Sequence, residues 1–336
     1  FAFAAAAAAG FLLTAVPVWT GARPITGARL GALVLMWLVA RIVVVSPPVF
    51  PTVVAVAIDV ALPCALLAAL GRPLFASADR RERALLPALV LLVFAVLGFH
   101  LATRGSMPHL GSTAARVGVD AMIVLIVRVG GRIVPTFTQN ALARAGSTLQ
   151  IRARPLLEQA SVLAVWAVVL VDGLAINGAV AALVKLVAAA TLAARLLGWQ
   201  PASTRRDPLL WSLHLSFAWL PVGLALDALG ELDRSIPATA GLHVLGPGCI
   251  AGMILAVMTR VGLGHTGRPL VAPRGIALAY LALSVSAVLR SASTWSSPAR
   301  PALLLASALL FSAAFATFLV VYGPMLIAPR VDGKPG

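Results

Sequence analysis

Residues 84–101 read ALLPALVLLVFAVLGFHL, eighteen positions without a charged side chain and with one histidine near the end. A helix drawn through them has no polar face, and no alternation of polar and apolar residues marks a half-buried strand. A helix on the surface of a soluble protein would need a wet face. About 20 residues rising 1.5 Å each cross the hydrocarbon layer of a bilayer, so the stretch reads as a membrane span. A transmembrane β-strand would alternate apolar and polar positions, and this run does not.

The same signature recurs along the chain. Apolar spans fall near 1–16, 29–46, 50–70, 84–102, 113–133, 156–171, 175–197, 208–229, 237–262, 270–290 and 301–328. The linkers are short and hold the Pro, Gly and Arg residues that break helices and form loops. Over 336 residues the chain is 60% hydrophobic and 11% charged, where a soluble protein has about 45–50% and about 25%. The expected architecture is all-α: one polytopic transmembrane helix bundle over residues 1–336, with eleven helices. The chain opens at Phe1 inside an apolar run, with no basic leader or cleavage pattern. A preceding helix is therefore expected, making about twelve in a full-length chain.

The formal net charge is +15. The arginines sit in short linkers rather than on one contiguous face, so the bilayer, not nucleic acid, is the expected partner. Linkers after the odd-numbered spans are richer in Lys and Arg than those after the even-numbered ones. The positive-inside rule then puts the odd set, and the C-terminus, in the cytoplasm. Cys64 and Cys249 lie inside apolar runs and read as small hydrophobes.

Five histidines remain as candidates for chemistry: His100, His109, His214, His243 and His265. Imidazole is the commonest metal ligand and is expensive in lipid unless satisfied. His214 lies about 9 Å into the eighth span from its inner end. His265 sits just past the inner end of the ninth, so the two could share an inner site. His243 lies near the outer end of the ninth span, about 33 Å from His265 along a straight helix. It forms an outer group with His100, and His109 follows in an outer loop. Pro247 cannot donate to the carbonyl of His243, so a break in the ninth span is expected there. Met253 and Met258 follow on the same span.

Asp59 and Lys185 lie near the middles of the third and seventh spans, at similar depth. A bare charge there costs about 2.5–3.5 kcal/mol, so the two are expected to form a structural pair. Arg41 and Arg128 are close enough to span ends to snorkel, and Asp120 is expected to face an outer loop.

The stretch GMILAVMTRVGLGHTGRPL (252–270) resembles the signature of the NnrS family. FLLTAVPVWTGARP (11–24), DAMIVLIVRVGGRIVPTFTQNAL (120–142) and WSLHLSFAWLPVGL (211–224) agree with it in kind and order. Gln139 departs from the pattern, which more often has a basic residue there, and so does Pro247. The family usually opens with a His-rich segment that would precede Phe1. The resemblance implies a polytopic bacterial inner-membrane protein associated with haem, copper and the response to nitric oxide in denitrification or nitrosative stress. It implies His214, His243 and His265 as cofactor and metal ligands, with His100 as a further metal candidate. No CxxCH is present, so any haem would be b-type, held without covalent attachment. Catalysis, scavenging of nitric oxide and assembly of a metal centre all fit that reading. The alternative is a membrane transporter for copper, haem or another small solute, which twelve spans, a broken ninth span and mid-depth charges also suit.

Overall fold

The computed structural model describes residues 2–45, 51–103, 107, 110–295 and 298–333. Among these residues there are eleven helical rods and no strand. They are α1 (Ala2–Thr20), α2 (Gly27–Val45), α3 (Thr52–Ala76), α4 (Arg80–Thr103), α6 (Pro155–Gly173), α7 (Ala179–Gly198), α8 (Pro208–Leu232), α9 (Ala240–His265), α10 (Ile276–Ala292) and α11 (Arg300–Ile327), with α5 between α4 and α6. Rod α5 consists of Leu110–Leu125, a π-helical turn Ile126–Gly130, and Gly131–Arg144. Each expected span overlaps one rod. Eight of them (α2, α3, α4, α6, α7, α8, α9 and α11) are long and apolar enough to cross a membrane, and α1 and α10 are shorter apolar helices. The chain is a multi-pass membrane protein.

Rod α5 differs from the expected fifth span. It carries Arg116, Asp120, Arg128 and Arg132 and continues to Arg144. Asp120, expected to face an outer loop, is 4% exposed.

The rods fall into two compact units. The first comprises residues 1–128 with 172–175. Here α3 packs on α1, α2 and α4, and α4 packs on the start of α5. Small residues let α4 and α5 approach: a methyl on Gly98 would sit 3.2 Å from the Ala114 Cβ, and one on Gly111 would sit 3.4 Å from the Ala102 Cβ. Close backbone approach of this kind holds helices together where lipid gives no hydrophobic drive. Outward, α2 presents Leu35 and Ile42, both 61% exposed, the surface expected against acyl chains.

The second unit comprises residues 129–171 and 176–336. Its centre is α8, which packs on α7, α9 and the second half of α5. Asp207 starts α8 by accepting the Leu209 N–H at 2.9 Å, and Pro208 takes the first helical position, where no backbone donor is needed. On α9 the sequence GCIAG (248–252) turns two glycines to its neighbours. A Cβ on Gly248 would lie 2.7 Å from the Trp219 ring, and one on Gly252 would lie 2.7 Å from Ser216 Oγ. On α8, Gly223 admits the Leu245 side chain in the same way. These three contacts fix an antiparallel register between α8 and α9.

The expected break at Pro247 is present. Residues Leu245–Ala251 form a π-helical segment inside α9. Proline has no N–H for the bond four residues back, and bonding at five residues carries the helix past it.

Candidate metal and cofactor site

His214 is 3% exposed, on the second turn of α8. Its Nε2 lies 2.9 Å from the Thr138 hydroxyl, on the second half of α5. That hydroxyl is also 2.9 Å from the Val134 carbonyl, which can only accept. Thr138 therefore donates its one proton to Val134 and accepts from His214 Nε2–H. This network assigns the tautomer in which Nδ1 carries a bare lone pair. Nδ1 is buried and has no hydrogen-bond partner among the described residues. A metal-ligating histidine is held in the same way, donating one ring N–H to a protein acceptor and aiming the other nitrogen at the metal. Trp199 covers the imidazole edge-on, with ring centroids 6.4 Å apart, and packs on Phe217 at 4.7 Å.

The other histidines stand elsewhere. By the α8–α9 register His214 is level with residues 253–254, so Met253 shares its height. His265 lies roughly 15 Å further along α9, and His243 roughly 15 Å the other way. The structure thus does not bring His214 and His265 together as an inner pair. His265 is exposed at the last helical position of α9. His243 is half-buried two residues before the π-helical segment, with Arg290 as a charged neighbour. His100, in the first unit, is 5% exposed and its Nε2 is 2.8 Å from Asp59 Oδ2. His109 lies outside the described residues. No group of three or more His, Cys, Asp or Glu is placed to hold a metal ion among the described residues. His214 Nδ1 is a single buried donor of the kind that can meet a cofactor.

Depth alone paired Asp59 with Lys185; the structure gives each a different partner. Asp59 bonds the Arg41 guanidinium and the His100 imidazole, one through each oxygen. Arg41 therefore points to a carboxylate instead of snorkelling. Lys185, 0% exposed, donates to Glu231 Oε1 at 3.0 Å, and Glu231 Oε2 accepts the Gly178 N–H at 2.9 Å. Glu231 so ties the start of α7 to the end of α8.

The GHTGRP stretch (264–269) forms a helix terminus. Arg268 N–H bonds the Leu263 carbonyl at 2.9 Å, and Gly267 N–H bonds the Gly264 carbonyl at 3.2 Å. Gly267 stands at φ +71°. This is the Schellman closure, and the left-handed residue it needs is glycine. Arg330 clasps the turn, donating to the His265 carbonyl at 3.1 Å while it pairs with Asp332 at 2.8 and 2.6 Å. A Cβ on Gly267 would meet the Asp332 carboxylate. Gly267→Ala is expected to destabilise the protein by about 1–2 kcal/mol, read as a lower melting temperature in detergent. An unchanged melt would show that the turn is not held this way. Gly262 has a separate reason, since a methyl there would press on the Tyr322 ring at 3.3 Å.

Gln139, the departure from the family pattern, orders the loop after α5. Its amide accepts from Ile151 N–H at 2.7 Å and donates to the Leu149 carbonyl at 3.4 Å. That loop borders a groove of about 930 Å³ lined by Ser147, Thr148, Gln150, Arg152, Arg154 and Gln200 among others.

Sequence reasoning singled out His214 but not the residues around it. Thr138 is 76 positions away in the chain, and nothing local marks a threonine as the partner of a distant imidazole. Arg260 falls near the end of the ninth span, where a basic residue fits the positive-inside rule. In the structure it is 5% exposed and lies over the Phe137 ring, 4.4 Å from its centroid. Its place one turn inside an apolar run, away from the linker, was the available signal.

Comparison with curated proteins and with solved structures finds no match. The family model described as NnrS protein matches residues 1–330. With nearly the whole length matched, on the same helical bundle whose spans carry the resembling stretches, the chain belongs to the NnrS family.

Proposed function

We propose that this chain is a haem- and copper-binding protein of the bacterial inner membrane, with a cytoplasmic C-terminus, that acts in the response to nitric oxide. The observation that carries the reading is the buried Nδ1 of His214, which has no hydrogen-bond partner among the described residues and is oriented through Nε2 by Thr138. A haem iron held by one imidazole keeps an axial position for a diatomic ligand, and copper is a metal that imidazole suits. His214 would hold the iron. Thr138 fixes the ring and its tautomer, while Trp199 and Phe217 keep water from the imidazole. His100, backed by the Asp59 carboxylate, has the carboxylate–histidine arrangement of a metal ligand with an orienting partner and is the candidate for copper. His243 and His265 stay as further candidates on the family resemblance, each at its own level of the bundle.

The test is spectroscopic. Purified full-length protein is expected to show a haem absorption band that moves when nitric oxide is added, and metal analysis is expected to find copper. His214→Ala should abolish the band with helix content unchanged by circular dichroism. Thr138→Val should weaken haem binding by about 10–100-fold. A colourless, copper-free protein that accumulates solute in vesicles would instead install the transporter reading, for which the wholly buried Lys185 and the π-broken α9 are the supporting features.

A further inference from the structure

Arg260 is a buried cation with an unanswered donor. Its Nη1 is inaccessible and has no hydrogen-bond partner among the described residues. Its charged neighbours are Asp207 and Arg144. The Asp207 carboxylate is engaged in capping α8, and no ion pair joins it to Arg260 among the described residues. Arg144 adds positive charge to the same region. Asp207 lends charge from nearby but no hydrogen bond, and a buried guanidinium donor left without an acceptor is costly; the ring of Phe137 supplies an electron-rich face but no acceptor.

The second fact is position. Phe137, under Arg260, and Thr138, bonded to His214, are adjacent on one turn of α5. By the α8–α9 register Arg260 stands six to seven residues along α9 from the level of His214, roughly 10 Å. Two buried polar atoms without partners, one a metal-type lone pair and one an anion-type donor, thus flank the same turn.

The geometry points to Arg260 as the anchor for a carboxylate carried by the ligand that His214 holds. This rests on the haem reading above: a porphyrin bound through its iron has carboxylate arms at its rim, at a reach comparable with that separation. The planar guanidinium suits a carboxylate through two parallel N–H donors. Arg260 is then a binding residue that sets the in-plane orientation of the macrocycle.

The experiment uses the full chain in detergent, freed of haem, titrated with b-type haem and with its dimethyl ester, whose carboxylates are blocked. Wild type is expected to bind the diacid about tenfold or more tightly than the diester. Arg260→Gln should bind the two forms equally, and Arg260→Lys should keep a reduced preference. Equal binding of both forms by wild type overturns the assignment without any variant, and so does a preference that survives in Arg260→Gln. If Arg260→Gln does not fold, a preference in wild type that Arg260→Lys reduces supports the assignment, and one left undiminished overturns it. A wild-type chain that takes up neither form sinks the haem reading itself and this inference with it. A chain that binds both alike sinks only the role of Arg260.

Discussion

Glu231→Ala is expected to destabilise the protein by about 3–5 kcal/mol, because it takes a carboxylate away from a wholly buried ammonium. Lys185 is 0% exposed and its Nζ is 3.0 Å from Glu231. The same carboxylate receives the Gly178 N–H at the head of α7, so its removal also frees a helix start. Adding Lys185→Met to Glu231→Ala should recover most of the loss, since an apolar side chain of similar length needs no anion. Thermal melts of the single and double variants in detergent decide the matter. If Lys185→Met fails to rescue Glu231→Ala, the pair does not govern the stability of this region.

The second large effect is expected at Asp59. Its two oxygens serve Arg41 and His100, so Asp59→Ala deprives both of their acceptor. Asp59 and Arg41 are partly exposed, at 17% and 26% of their side chains, which moderates the cost relative to a sealed pair. A loss of about 2–3 kcal/mol is expected. Asp59→Asn should lose less, because its amide oxygen can still accept one of the two bonds. A readout of metal separates stability from ligation: if His100 holds copper, Asp59→Asn should lower copper affinity by about 10–100-fold, as loss of an orienting partner does. Full copper retention with a lowered melting temperature would assign the cluster to structure alone.

Most of the helical layout was legible because lipid imposes one rule, a long run without charge, and the chain obeys it in span after span. The misses have physical reasons. The tenth helix starts at Ile276, not near residue 270, because Pro273 and Gly275, the latter at φ +85°, hold the chain out of the helix until then. Rod α5 runs on to Arg144 because Gly131–Arg144 is amphipathic, and hydropathy detects lipid contact rather than helix. Depth is one coordinate of three and does not by itself name the partner of a charge. Each charge meets a partner on a helix adjacent in the chain, Arg41 on α2 and Glu231 on α8. His214 was visible as an oddity of composition. The orientation of its ring comes from Thr138, which only the folded chain brings beside it.

The π-helical segment of α9 holds one more residue than an α-helix would place over the same path. Gly246, whose added methyl would meet nothing within 4 Å, is a natural place to count that extra residue. Shortening the segment by one would turn everything after it by about 100°. The glycine face of 248 and 252 would then leave α8, and Arg260 would swing off Phe137. A single surplus residue thus sets the rotational phase of the half-helix that carries the family's signature, like one tooth added to a gear.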